Sequence, residues 1–194
     1  MVENVRLFID AARDGLLDQL QSILSSGVPI DSTDDDGCTA LHMAASEGHH
    51  QVVTFLVNAG ANRSLVDAQE FSTLHWATLS EDLETMSLSL TQQQGVDPKD
   101  VDSRTPLSWA VAQGSPDVVR WLIAHGSNPN SADRDGWTPL HYAAARNRVA
   151  MIDLLFQCDA RLDAESLREE TALQVAERLG SIDAAQALRA VTRD

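Results

Sequence analysis

Apolar and small residues in this chain fall on a helical spacing that keeps restarting. Leu140, Ala143 and Ala144 stand at i, i+3 and i+4 and mark one inner face. A second apolar run follows, with Met151, Ile152, Leu154, Leu155 and Phe156. Between the two, Asn147 tolerates the left-handed turn that Gly supplies elsewhere. Ahead of the first run, Asp133-Arg134-Asp135-Gly136 is a turn signal with Asp first and Gly last. Thr138 then offers an oxygen to the first free helix amides, and Pro139 suits the first helical position. In the stretch before, Gly126 ends a second helix and Pro129 stops its continuation. The pattern predicts a hairpin-like turn followed by two short antiparallel helices.

That unit recurs. Thr39-Ala40-Leu41-His42 returns as Ser72-Thr73-Leu74-His75, Thr105-Pro106-Leu107-Ser108, Thr138-Pro139-Leu140-His141 and Thr171-Ala172-Leu173-Gln174, each 33 residues after the last. One step back from Leu41 lies Phe8, so the N-terminal segment is an eroded copy. Ala follows three residues later in all six copies, at Ala11, Ala44, Ala77, Ala110, Ala143 and Ala176. One unit cannot bury its apolar face alone, whereas a stack of them can. The T-P-L-H core and the 33-residue period resemble the ankyrin repeat, and the resemblance covers essentially the whole chain. It implies an all-α ankyrin-repeat solenoid of stacked helix-turn-helix units with β-hairpin-like turns. Residues 1–194 are expected to form a single domain, divided as 1–33, 34–66, 67–99, 100–132, 133–165 and 166–194. The first and last copies are expected to be caps with polar outer faces.

Residues 67–99 depart from the pattern. No Pro follows Ser72, and Glu81 stands where most copies have Gly. The spacing predicts a helix pair two residues longer and a hairpin two residues shorter, with the least stable seam of the stack here. Thr91-Gln92-Gln93-Gln94 is expected to be an exposed, mobile helix end.

Composition narrows the chemistry. The 194 residues carry 14 basic and 29 acidic side chains, net −15. An acidic surface repels phosphates, so nucleic acid is excluded as an expected partner. No apolar run approaches the ~18 residues of a membrane span, and MVENVRLFID lacks the features of a secretory signal. The chain is expected to be soluble and intracellular, cytoplasmic with the nucleus left open, and monomeric. Residues 1–100 hold 4 basic and 16 acidic groups, and residues 101–194 hold 10 and 13.

No residue set points to catalysis. The run Asp31 to Gly37 lacks the Glu that a calcium loop needs at its twelfth position, which is His42. There is no G-x-S-x-G elbow and no phosphate-binding glycine loop. His49 and His50 read as a solvated turn, and Cys38 and Cys158 as free thiols. Neither cofactor nor metal is expected. In the ankyrin family the histidine of T-P-L-H ties adjacent turns together, and the resemblance implies this for His42, His75 and His141. It also raises hydroxylation of Asn130, against the plainer reading of a hairpin Asn that satisfies turn amides.

The resemblance further implies that partners bind at the turn tips and on the exposed face of the first helices. Tip residues just before the Thr include Phe71, Arg104 and Trp137, and interface hot spots favour aromatic and Arg side chains. The alternative is that these rings pack down on their own hairpins. A second row, Met43, Trp76, Trp109, Tyr142 and Val175, follows the histidine position. These side chains serve either as contacts or as partly buried stacking. Asp35, Asp36, Arg134, Leu79, Gln113 and Arg146 complete the expected surface. Acidic tips would steer a partner with basic segments. The expected function is a non-enzymatic protein or peptide interaction module. The alternatives are a regulatory domain of a larger protein, or a small-ligand receptor or enzyme using the aromatic row.

Overall fold

The computed structural model describes residues 2–192. Its described residues form twelve helices, two per repeat: α1 (Val2–Arg13), α2 (Leu17–Ser25), α3 (Ala40–Ser46), α4 (His50–Asn58), α5 (Thr73–Ser80), α6 (Leu83–Ser89), α7 (Pro106–Gln113), α8 (Pro116–Ala124), α9 (Pro139–Ala145), α10 (Val149–Gln157), α11 (Ala172–Leu179) and α12 (Ile182–Val191). Strand structure among these residues is confined to isolated antiparallel bridges, three of them in phase at Thr33–Thr39, Val66–Ser72 and Glu165–Thr171. The fold is an all-α repeat solenoid with hairpin-like turns.

The first helix of each repeat starts where a capping box allows it. Thr39 Oγ1 accepts the His42 amide at 3.2 Å, and the Thr39 amide donates back to His42 Nδ1 at 3.3 Å. Ser72 with His75 and Thr171 with Gln174 repeat this arrangement. The fourth position of T-P-L-H is therefore the third helical residue of the box, and Gln substitutes for His without loss of the motif.

The chain divides into two compact units, Met1–Val101 and Asp102–Asp194. Within the first, α1 packs on α3, α3 on α5 and α4 on α6. Within the second, α7 packs on α9, α9 on α11, α8 on α10 and α10 on α12. Within each unit, each repeat thus covers the next. Ala44, Ala77, Ala110, Ala143 and Ala176 are fully buried, and within each unit their small side chains let successive first helices approach closely. A parallel row runs through the second helices at Leu20, Val53, Met86, Val119, Ile152 and Ala185, all buried.

The third repeat corrects two expectations. Its second helix is not lengthened: α6 has 7 residues, against 9 in α4 and 9 in α8. Thr91 to Gln94 is a turn rather than a helix end, closed by an antiparallel bridge between Thr91 and Gly95. The cause is chemical. Thr85 and Ser89 occupy core positions held by Val52 and Leu56 one repeat earlier, and Ser89 Oγ bonds back to the Thr85 carbonyl at 2.8 Å. Leu90 leaves the helix in an extended conformation. The Arg63 guanidinium caps the freed carbonyl of Leu88 at 3.1 Å, and Gln94 Nε2 donates to the Ser64 carbonyl at 3.1 Å. The last repeat also departs from expectation. Its outer face is not uniformly polar, since Leu167 is 76% exposed, Leu179 48% and Ile182 67%.

Candidate docking site

Three of the hairpin tips are each held by one carboxylate. Asp67 Oδ1 accepts the amides of Gln69 at 2.8 Å and Phe71 at 2.9 Å. Asp133 Oδ1 accepts those of Asp135 at 2.9 Å and Trp137 at 2.8 Å. Asp34 does the same for Asp36 and Cys38. The second oxygen then reaches the first helix. Asp67 Oδ2 accepts the Trp76 indole N–H at 3.1 Å, and Asp133 Oδ2 accepts the Tyr142 hydroxyl at 2.5 Å. Ser166 takes the amide-accepting role in the sixth repeat. The 33-residue row of Asp34, Asp67, Asp100 and Asp133 was visible in the sequence. Its link to the aromatic row required the folded hairpin.

Successive tips are also tied to one another. The Ala68 amide donates to the Asp36 carbonyl and Val101 to Gln69. In the second unit Arg134 donates to Asp102 and Leu167 to Asp135, both at 2.8 Å. The approach is close enough that a Cβ on Gly136, at φ +78°, would lie 2.8 Å from the Leu167 amide.

This frame joins the two expected rows into pairs. Phe71 and Trp76 have ring centroids 5.6 Å apart, and Trp137 meets Tyr142 edge-on at 5.2 Å. The Arg104 guanidinium lies 4.5 Å above the Trp109 ring and 3.0 Å from Asp102 Oδ2. The tip residues do lean onto their own repeats, yet all six side chains stay half-buried. Leu79 and Gln113, at the ends of α5 and α7, are half-buried, and Arg146, at the end of α9, is exposed. Asp35, Asp36 and Arg134 are exposed at tips. Met43 and Val175, the ends of the second row, are buried.

Each unit carries a cleft along its tips. In the first, about 430 Å³ is lined by Arg6, Asp10, Arg13 and Asp34 to Asp36. In the second, about 220 Å³ lies between Trp137, Leu167 and Leu179, rimmed by Asp135, Arg168 and Arg178. Leu167 and Leu179 were missed in the sequence. They stand 33 residues after Arg134 and Arg146, so the same repeat step reaches them.

The histidines act in the scaffold. His42 Nε2 donates to the Leu65 carbonyl at 3.1 Å and His141 Nε2 to Glu170 at 3.0 Å. Their Nδ1 atoms accept the Thr39 and Thr138 amides, so each ring is a neutral Nε2–H tautomer. Burial holds both below the ordinary histidine value. His49 is more than a solvated turn residue, because its Nε2 donates to the Arg13 carbonyl at 2.9 Å and so links two repeats. Asn130 likewise bridges repeats, accepting the Arg161 amide at 2.7 Å and donating to the Asp159 carbonyl at 3.0 Å. Both cysteines are free. No cluster of His, Cys, Asp or Glu among the described residues could hold a metal ion. None of their helices is long and apolar enough to cross a membrane.

Comparison with known proteins agrees with this geometry. A chain in the complex of the Bd0816 predatory endopeptidase of Bdellovibrio bacteriovorus with immunity protein Bd3460 superposes with a TM-score of 0.81 at 24% identity, covering 95% of this chain and 97% of that one. The human ASB11 ankyrin repeat domain gives 0.77 at 21% identity, covering 94% and 82%. In sequence, human palmitoyltransferase ZDHHC13 is 31% identical over 177 residues, 90% of this chain and 28% of that protein. Human inversin is 35% identical over 130 residues, 66% of this chain and 12% of its own length. The chain therefore spans less than a third of either relative. The family model for ankyrin repeats in three copies matches at residues 8–102, 74–166 and 107–192. With that register unbroken from Phe8 to the last helix, the chain belongs to the ankyrin repeat family.

Proposed function

We propose that this chain is a non-enzymatic docking domain that binds a protein or peptide partner through its hairpin tips and the adjoining ends of its first helices. Ankyrin repeats generally serve as protein–protein interaction modules. The observation that carries the reading here is the set of three tip pairs, Phe71/Trp76, Arg104/Trp109 and Trp137/Tyr142. Large half-exposed rings and a guanidinium on carboxylate-braced turns are pre-ordered, so little rotamer entropy is lost when a partner covers them. Asp35 and Asp36 pair with no cation among the described residues and would steer a basic segment of the partner. The six repeats would act together as one monomeric, cytoplasmic module. Matches to a fraction of much longer relatives favour a second form of this reading, in which the chain serves as the docking part of a larger protein.

The test is quantitative capture of partners on the immobilised chain and on Phe71→Ala, Arg104→Ala and Trp137→Ala. Loss of about 2 kcal/mol or more, roughly thirtyfold in affinity, with unchanged unfolding temperature is expected for at least one variant. Capture unaltered by all three would contradict the assignment.

A further inference from the structure

We propose that the cleft at the end of the second unit takes one large aliphatic or aromatic side chain of an acidic peptide segment. This rests on the docking reading and adds the chemistry of the occupant. The floor is Trp137, Leu167 and Leu179, from two successive tips and the end of α11. Leu167 is 76% exposed and Leu179 48%, so folding leaves most of the first and nearly half of the second in water. The Leu167 backbone and the Trp137 ring are nevertheless held in place. The Leu167 amide is bonded to the Asp135 carbonyl at 2.8 Å, and Trp137 rests against Tyr142. The volume, about 220 Å³, falls below the roughly 300–1,000 Å³ of small-molecule pockets and suits a single side chain.

The rim decides the sign of the flanking charge. Glu170 grips Arg178 through two bonds, 2.6 and 3.1 Å, which neutralises that pair at the edge of the cleft. Arg168 on the rim and Arg134 on the neighbouring tip are exposed; Arg168 attracts the Glu170 carboxylate from a distance, its hydrogen-bonded partner there being Arg178. Asp135 is the one acid among the residues lining the cleft, against two arginines. Leu167 and Arg168 occupy the repeat positions held by Asp35 and Asp36 in the second repeat. The same two tip positions are thus acidic in the second repeat and apolar-basic in the sixth. A lysine-rich segment that suits the second repeat is repelled at the sixth, while carboxylates beside an apolar anchor meet the exposed Arg168 guanidinium and, on the neighbouring tip, that of Arg134.

A displayed library of random dodecapeptides selected on the full chain tests this. Enriched sequences should place Asp or Glu within about three residues of a Leu, Ile, Met, Phe or Trp. A synthetic copy should bind at least tenfold more weakly to Leu167→Asp and to Arg168→Glu. Replacing its acids with lysine should restore binding to Arg168→Glu. Both side chains are exposed, and circular dichroism melts confirm that the variants stay folded. Enrichment of peptides without acidic residues, or affinities within twofold in both variants, would overturn the proposal. If selected peptides are lost on Trp137→Ala or Phe71→Ala but are indifferent to Arg168→Glu, this proposal fails while the docking reading stands. If no peptide is enriched, the proposal fails and the docking reading loses its peptide form.

Discussion

Asp133 holds Tyr142 through one carboxylate oxygen while its other oxygen caps the Asp135 and Trp137 amides. A single side chain thereby sets the hairpin, the first helix and the ring between them. Asp133→Ala leaves two tip amides and a hydroxyl without their acceptor and is expected to cost about 1–3 kcal/mol. Asp133→Asn keeps an oxygen for the amides and should recover a large part of that loss. Urea unfolding of the two variants checks this. Equal stability of Ala and Asn would show that the carboxylate does not brace the tip.

The neutral histidines make stability depend on pH. The ordinary value is 6.5, and burial lowers His42 and His141 in the folded chain. Between the folded and unfolded values the unfolded chain binds more protons, so stability rises with pH. The contribution is complete above about pH 6.5 and is lost as pH falls through the folded values. The urea midpoint should therefore drop between pH 7 and pH 5. His42→Gln with His141→Gln keeps the capping box in the manner of Gln174 and should flatten that slope. An unchanged slope in the double variant would place the effect on other groups.

The two thiols should differ in reactivity. Cys38 is 5% exposed, and its pKa is pushed up to about 12, first by burial and then by Asp34, Asp67 and Asp36. Thiolate is the reactive form, so Cys38 should resist alkylation in the native state. Cys158 is only half-buried and should be modified first. Mass spectrometry after brief iodoacetamide treatment at pH 8 reads the order. Alkylation of Cys38 ahead of Cys158 would contradict the burial described here.

Much of the fold could be read from the chain because each repeat position has one physical job. Thr39 and Ser72 sit where a cap is needed, and Ala44 and Ala77 sit where helices must touch. Such constraints are local and recur every 33 residues. The third repeat resisted because Thr85 and Ser89 replace apolar core residues, and a spacing count cannot tell a longer helix from a shorter helix plus a turn. At the site, the rows of Phe71, Arg104, Trp137 and Trp76, Trp109, Tyr142 were legible. Their pairing was not, because it joins a residue before the helix cap to one in the first turn, and only the hairpin bend brings them together. Leu167 and Leu179 escaped because the last repeat was expected to end the stack with a polar face.

Hydrogen–deuterium exchange of the full chain, free and bound to a selected peptide or captured partner, tests the central claim most directly. The account predicts that slowed exchange on binding is confined to the tips and adjoining first-helix residues, within 67–80, 102–113, 133–146 and 166–179. Slowed exchange concentrated instead on the second helices, α4, α6, α8, α10 and α12, would contradict it.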